Sequence, residues 1–257
     1  MPANMNDTKD GIIMDNGKEF GTGFLSILTN HIYWLGLVNF YFVLCNIVFL
    51  FFFISLIPSF SNMFIYFIAL IPSGPAITAL FSTLSKLVRD KEISPTKDFF
   101  HSYKVNFVDT LKVWLPLLLV VFILVVDLYY FNANPSNTNQ ILAGIFLVVL
   151  LLIGTFSIYV FSIHANFAFR VRDIYRLSVY YSFYKIKATT GNIGLVIITF
   201  FLMNVISDFI ILFIASLLCY AMVLNSNTVL EDIRQNFVKK ENKEEHNDET
   251  KEEEVLE

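Results

Sequence analysis

The stretch VWLPLLLVVFILVVDLYY, Val113 to Tyr130, meets no charged side chain before Asp127 and closes on the aromatic pair Tyr129-Tyr130. It is apolar on every side rather than along one stripe, so it needs a nonaqueous solvent. A helix of about 20 such residues crosses roughly 30 Å of hydrocarbon. This run therefore reads as a membrane span, and the rest of the chain is read outward from it.

Composition agrees. The 257 residues are 56% hydrophobic and only 16% charged, where a soluble domain carries about a quarter charged residues. Mean hydropathy is +0.62. The net charge of −4 is a difference between regions. From Ser226 onward there are five Lys/Arg against eleven Asp/Glu, so the part before it carries thirteen against eleven and is mildly basic. Cys45 and Cys219 lie in apolar stretches with no CxxC pairing, which points to packing rather than to a disulfide or metal site.

Upstream of Val113, Ile32 to Ile57 is a second long apolar run, ended by Pro58 and a short uncharged link. Met63 to Leu87 is a third, interrupted by Pro72-Ser73-Gly74-Pro75. Two prolines and a glycine within about one turn remove backbone donors and bend a helix. In lipid the freed carbonyls must find partners inside the protein. Downstream, Ile141 to Ser162 is a fourth span. Ile193 to Leu224 would be about 48 Å long as one helix, too long for one crossing, while its halves are short. Ser207-Asp208 at its middle is a plausible helix start. The expected architecture is all-α, a polytopic transmembrane bundle of five to six spans, at about 32–57, 63–87, 113–130, 141–162, 193–206 and 208–225. A polar segment, 1–31, precedes this domain of 32–225, and an acidic tail, 226–257, follows and reads as disordered. The polar N-terminal segment lacks the pattern of a cleaved signal peptide.

Two internal links carry the Lys/Arg residues and the others carry none, which places the basic links and the N-terminus in the cytoplasm. Arg234, Lys239, Lys240 and Lys243 favour the same side for the tail, and hence six crossings. Both basic links read as interfacial amphipathic helices. In the first, Ser94-Pro95 marks a helix start; Phe100, Tyr103, Phe107 and Leu111 then recur at +3, +4 and +4, with Lys97, His101 and Lys104 among them. In the second, Ile174, Leu177, Tyr181 and Tyr184 recur among Arg170, Arg172 and Arg176. The candidate docking face is Phe100, Tyr103, Lys104, Phe107, Arg170, Arg172 and Arg176.

Candidate sites inside the membrane are few. Asp208, flanked by apolar runs, reads either as a cation or proton site or as a helix cap. Asp127 reads as an interface residue, and His164 as a hydrogen-bonded or solvated one. Asn39 and Asn46 are seven apart on one face and suit interhelical hydrogen bonds. Pro72, Gly74 and Pro75 form either a packed kink or part of a substrate path. GxxxxGK[ST], HExxH, GxSxG and a Cys/His ligand cluster are all absent from the sequence. The reading is therefore not an enzyme, with no cofactor and no nucleic-acid partner.

From Pro72 to Trp114 the chain resembles the YesL-type integral membrane protein family, whose function is unknown. The resemblance rests on Ser73-Gly74-Pro75-Ala76-Ile77-Thr78-Ala79-Leu80. It rests also on Lys86 to Pro95, continuing through Lys97-Asp98-Phe99-Phe100, Tyr103-Lys104, Asn106-Phe107 and Trp114. Proteins of this kind are often encoded beside sugar-uptake ABC transporters and glycan-degrading enzymes. The resemblance thus implies an accessory role in carbohydrate uptake, with ABC transporter membrane subunits as partners beside the lipid bilayer. A small transporter or channel, and a sensor or scaffold acting through the acidic tail, are the rival expectations. Richness in Phe, Ile, Asn and Tyr fits an AT-rich bacterial genome, so the expected location is a bacterial plasma membrane.

Overall fold

The computed structural model describes residues 24–57, 59–205 and 210–238. Among them are ten α-helices and no strand: α1 Phe24–Cys45, α2 Ile47–Ser55, α3 Met63–Ala69, α4 Ser73–Asp90, α5 Pro95–Val105, α6 Phe107–Ala133, α7 Asn137–Asn166, α8 Val171–Tyr184, α9 Ile186–Val205 and α10 Ile210–Ile233. A 3-10 turn, Phe60–Asn62, leads into α3, and a π turn, Arg234–Val238, follows α10.

α4 is the central helix. Thirteen of its 18 residues are buried, among them Ser73, Gly74, Ala76, Thr78, Ala79, Thr83 and Ser85. Small residues take the centre because Leu and Ile gain nothing by leaving lipid for protein, whereas close backbone approach gains packing and hydrogen bonds. α1, α5, α6, α7 and α10 all pack on α4. The outer helices do the opposite: α6 exposes Val120 and Ile123, and α7 exposes Leu147, Val148 and Leu152. α4 ends at Lys91, which takes the left-handed conformation at φ 62° and donates its N–H to the Leu87 carbonyl at 3.0 Å.

Four helices are long and apolar enough to cross a membrane: α6, α7, α9 and Ile214–Phe237. Two bent pairs bring the number to six if each pair makes one span. α1 meets α2 at 64°, and Phe60–Ala69 meets α4 at 49°. The expected straight run 32–57 is thus broken at Asn46. There the Asn46 side chain donates to the Phe42 carbonyl at 2.8 Å, a side-chain bond that competes with the helix ladder. The second bend falls where the prolines suggest, but Ser73, Gly74 and Pro75 form the first turn of α4. Proline is tolerated at that position because the first turn has no intrahelical acceptor for its missing N–H.

The long stretch 193–224 is two helices, α9 and α10, which pack on each other. Each is longer than half of the apolar run because it continues into the flanking polar residues. Lys185, just before α9, pairs with Asp232, and Asn192 pairs with Asn225, so the partners on α10 step back as α9 advances and the two run antiparallel. Asp208 lies outside the described residues.

α5 does not turn its aromatic face outward. Phe99 is fully buried, and Tyr41 of α1 touches Phe99 and Phe100 at centroid distances of 5.9 and 5.0 Å. The Lys86–Asp98 ion pair, at 2.8 Å, ties α5 to α4. Asp98 also accepts from the Ser94 backbone N–H at 2.8 Å, fixing the start of α5. α8 buries Ile174, Ser178 and Tyr181 and exposes Arg172, Arg176 and Phe183.

Candidate functional site

The sites expected separately at Asn46 and at Pro72–Pro75 form one joint. The Ser73 hydroxyl donates to Asn46 Oδ1, fastening the α1–α2 break to the first turn of α4. Trp114 of α6 lies against the same turn. Its Nε1 donates to the Leu70 carbonyl at 3.0 Å, one of the backbone groups at the interruption. A Cβ on Gly74 would stand 2.4 Å from Trp114 Cγ and Cδ1, so glycine is what permits the contact. Pro72, Gly74 and Pro75 accordingly sit in a packed joint, with Gly74 and Pro75 buried. Asn39 also bridges helices, its Oδ1 accepting from the Ser216 backbone N–H at 3.0 Å.

At the opposite end of α4, among the described residues, charged side chains collect from several helices. A hollow of about 500 Å³ opens between the start of α6, the end of α7 and the start of α8. Asp109 and Lys112 contribute from the first two turns of α6, where they pair at 2.7 Å. His164 and Asn166 come from the last turn of α7, and Arg170 from the link to α8. As a helix of 30 residues, α7 is about 45 Å long, so its length exceeds the hydrocarbon thickness. That excess lets it carry His164 into the polar end. His164 is 9% exposed, and its Nε2 pairs with the Thr110 hydroxyl at 2.9 Å. Asn166 donates to the Ser85 hydroxyl at 2.9 Å and to the Ser162 carbonyl at 2.8 Å. A second hollow, of about 340 Å³, lies beyond Asn166 and is lined in part by Arg89, Lys91, Glu231 and Arg234.

Of the expected docking face, Phe100 and Tyr103 pack against the core, and Phe107 stacks edge-on against Tyr103 at 5.6 Å. Lys104, Arg170, Arg172 and Arg176 are exposed. The structure therefore divides this set into an inward aromatic half and an outward basic half.

Two clusters escaped the sequence reading. The first clamps α9 to α10: Asn225 donates to the Ala188 carbonyl at 2.7 Å and to Asn192 Oδ1 at 2.8 Å, and Asn192 donates to the Ser226 hydroxyl at 3.1 Å. Gly191 makes room, since a Cβ there would fall 2.6 Å from Asn225 Oδ1. The signal was present: a hairpin folded about Ser207-Asp208 sets 192 opposite 225. The second cluster joins α8 to α10, where the Tyr181 hydroxyl donates to Asp232 at 2.7 Å and Lys185 pairs with Asp232 at 3.2 Å. Burial, and then the Asp232 carboxylate, hold the Tyr181 phenol protonated above its usual range. No group of three or more His, Cys, Asp or Glu residues suited to a metal ion occurs among the described residues.

Residues 35–128 match the protein family of unknown function DUF624. The DUF624 match contains both bends, the Asn46–Ser73 joint, Trp114 and the α6 side of the larger hollow. His164, Asn166, Arg170 and the α9–α10 clamp lie beyond it. No curated protein and no solved structure matches the chain.

Proposed function

We propose that this is a YesL-type integral membrane protein without catalytic activity, in a bacterial plasma membrane. In this reading its basic end faces the cytoplasm, and it assists carbohydrate uptake by contacting the membrane subunits of an ABC transporter. One observation supports an accessory role above all: intramembrane polar side chains serve as fasteners between helices. Asn39, Asn46, Ser73, Asn192 and Asn225 each hold a neighbouring helix. The exposed Lys104, Arg170, Arg172 and Arg176 supply a basic surface for a partner. The carbohydrate part of the reading comes from the family resemblance. Deleting the gene and measuring growth and uptake on the sugars handled by neighbouring genes tests it. Impaired uptake on at least one sugar is expected, restored by the wild-type gene and not by a quadruple Gln variant at those four basic positions. Normal uptake on all of them refutes it.

A small transporter is the second reading. The hydroxyls of Thr78 on α4 and Ser162 on α7 are buried without a partner among the described residues, which leaves polar groups available inside the bundle. Sugar flux into liposomes that contain only this protein would favour that reading over the accessory one.

A further inference from the structure

We propose that the hollow between α6, α7 and α8 binds a phosphorylated polyol, either a soluble sugar phosphate or the headgroup of a glycerophospholipid. Its volume, about 500 Å³, lies in the range of small-molecule sites, about 300–1,000 Å³. Beside apolar walls that include Phe167, Phe169 and Ile174, its polar lining combines two chemistries.

The first suits an anion. Arg170 borders the hollow and has no ion-pair partner among the described residues. Lys112 also borders it, with one carboxylate neighbour, Asp109. The start of α8 faces it, and its cap, Arg170, makes no side-chain capping bond. The first two N–H groups of α8 are therefore left for solvent or a ligand. His164 is nine-tenths buried at the wall, and one of its ring nitrogens is held by Thr110. The other has no hydrogen-bond partner among the described residues, and the residue borders the hollow.

The second chemistry suits hydroxyl groups. Asp109 adds a carboxylate to the same wall, and the end of α7 adds its last carbonyls and the Asn166 amide. These groups accept hydrogen bonds, and inorganic phosphate offers only one or two O–H donors where a polyol offers several. Cationic groups and N–H donors beside a row of acceptors fit a molecule carrying both a phosphate and several hydroxyls. The site stands whether or not the protein contacts a transporter, and the two are tested by different assays.

The test uses the full chain in nanodiscs of phosphatidylcholine, with glucose 6-phosphate, glucose and inorganic phosphate titrated by calorimetry. A second preparation adds phosphatidylglycerol and measures how much of that lipid is retained on purification. Either saturable glucose 6-phosphate binding, tighter than that of glucose or phosphate, or selective retention of phosphatidylglycerol is expected. The first result assigns a soluble ligand and the second a lipid headgroup. In either arm Arg170→Gln and Lys112→Gln should each weaken binding at least tenfold while leaving the melting temperature within 2 °C. Three results overturn the proposal: no binding in both arms, phosphate binding as tightly as glucose 6-phosphate, or binding unchanged in both variants.

Discussion

Gly74→Ala tests the joint most directly. The new methyl would lie 2.4 Å from two ring atoms of Trp114 and 2.7 Å from its Cβ. The Cβ contact matters most, because a side chain cannot rotate its own Cβ away; either α4 or α6 must shift. Overpacking of this kind costs about 1–3 kcal/mol. Moving Trp114 also strains its bond to the Leu70 carbonyl, worth about 0.6 kcal/mol by the average for side-chain hydrogen bonds in membranes. Against this, alanine is favoured over glycine in a helix by about 0.5–1 kcal/mol. The balance is a loss of about 2 kcal/mol, or about 4–8 °C in melting temperature for a chain of this size. Circular dichroism melts in detergent read it. The decisive comparison is Gly74→Ala in a Trp114→Gly background, where both the ring and the Cβ that the methyl would meet are gone. There the alanine should be neutral or slightly stabilising, giving a coupling of about 2 kcal/mol between the positions. A Gly74→Ala melt equal to wild type, or the same loss in both backgrounds, refutes the argument.

Gly191→Ala should loosen the α9–α10 clamp, because Asn225 must release either Ala188 or Asn192. Its cost should be smaller than at Gly74, about 1 kcal/mol, since the obstructing atoms end a side chain that can rotate, and a melt comparison checks the order. Lys91→Gly should raise stability by about 1 kcal/mol by relieving a left-handed non-glycine residue; an unchanged melting temperature would mean that α4 does not end there in that conformation. Tyr181 is protonated in the fold above the usual phenol range, so the folded state binds the proton more tightly than the unfolded chain. The stabilisation is complete below a pH of about 10 and declines as pH rises past it; melts from pH 9 to 11 should show a slope that Tyr181→Phe reduces. For orientation, Thr138→Cys and Lys91→Cys, both at exposed positions, in a background lacking Cys45 and Cys219 should react oppositely with a membrane-impermeant thiol reagent. The thiol at Thr138 should label from outside intact cells and that at Lys91 only after lysis.

The parts of this fold visible in the sequence were those set by composition over many residues. Val113–Tyr130 reads as a span because nothing in it could face water, and it became the middle of α6. The split near Ser207-Asp208 was legible from length alone, since about 48 Å of helix does not fit one crossing. What stayed hidden depends on a partner elsewhere in the chain. Ile47–Ile57 is as apolar as the residues before it, so periodicity runs straight through Asn46; the bend there is coupled to Ser73, 27 residues later. Likewise the repeat at Phe100, Tyr103 and Phe107 reports an apolar face without saying whether lipid or protein covers it. Tyr41 on α1 decides that for Phe100, turning α5 inward.

The same dependence explains why polar residues were the hardest to read. In lipid an asparagine without a partner is costly, so its presence in a span implies a partner but does not name one. Asn46 and Asn192 look alike in sequence, each an amide at an apolar run. One fastens a broken span to the central helix and the other closes a hairpin. His164 differs from both. It is buried like them, yet its hydrogen bond to Thr110 occupies one ring nitrogen only. The amides have neighbouring helices as partners, while this histidine leaves one ring nitrogen without a partner among the described residues and borders a charged hollow. That difference, more than any motif, separates the groups that hold this bundle together from the one placed to meet a ligand.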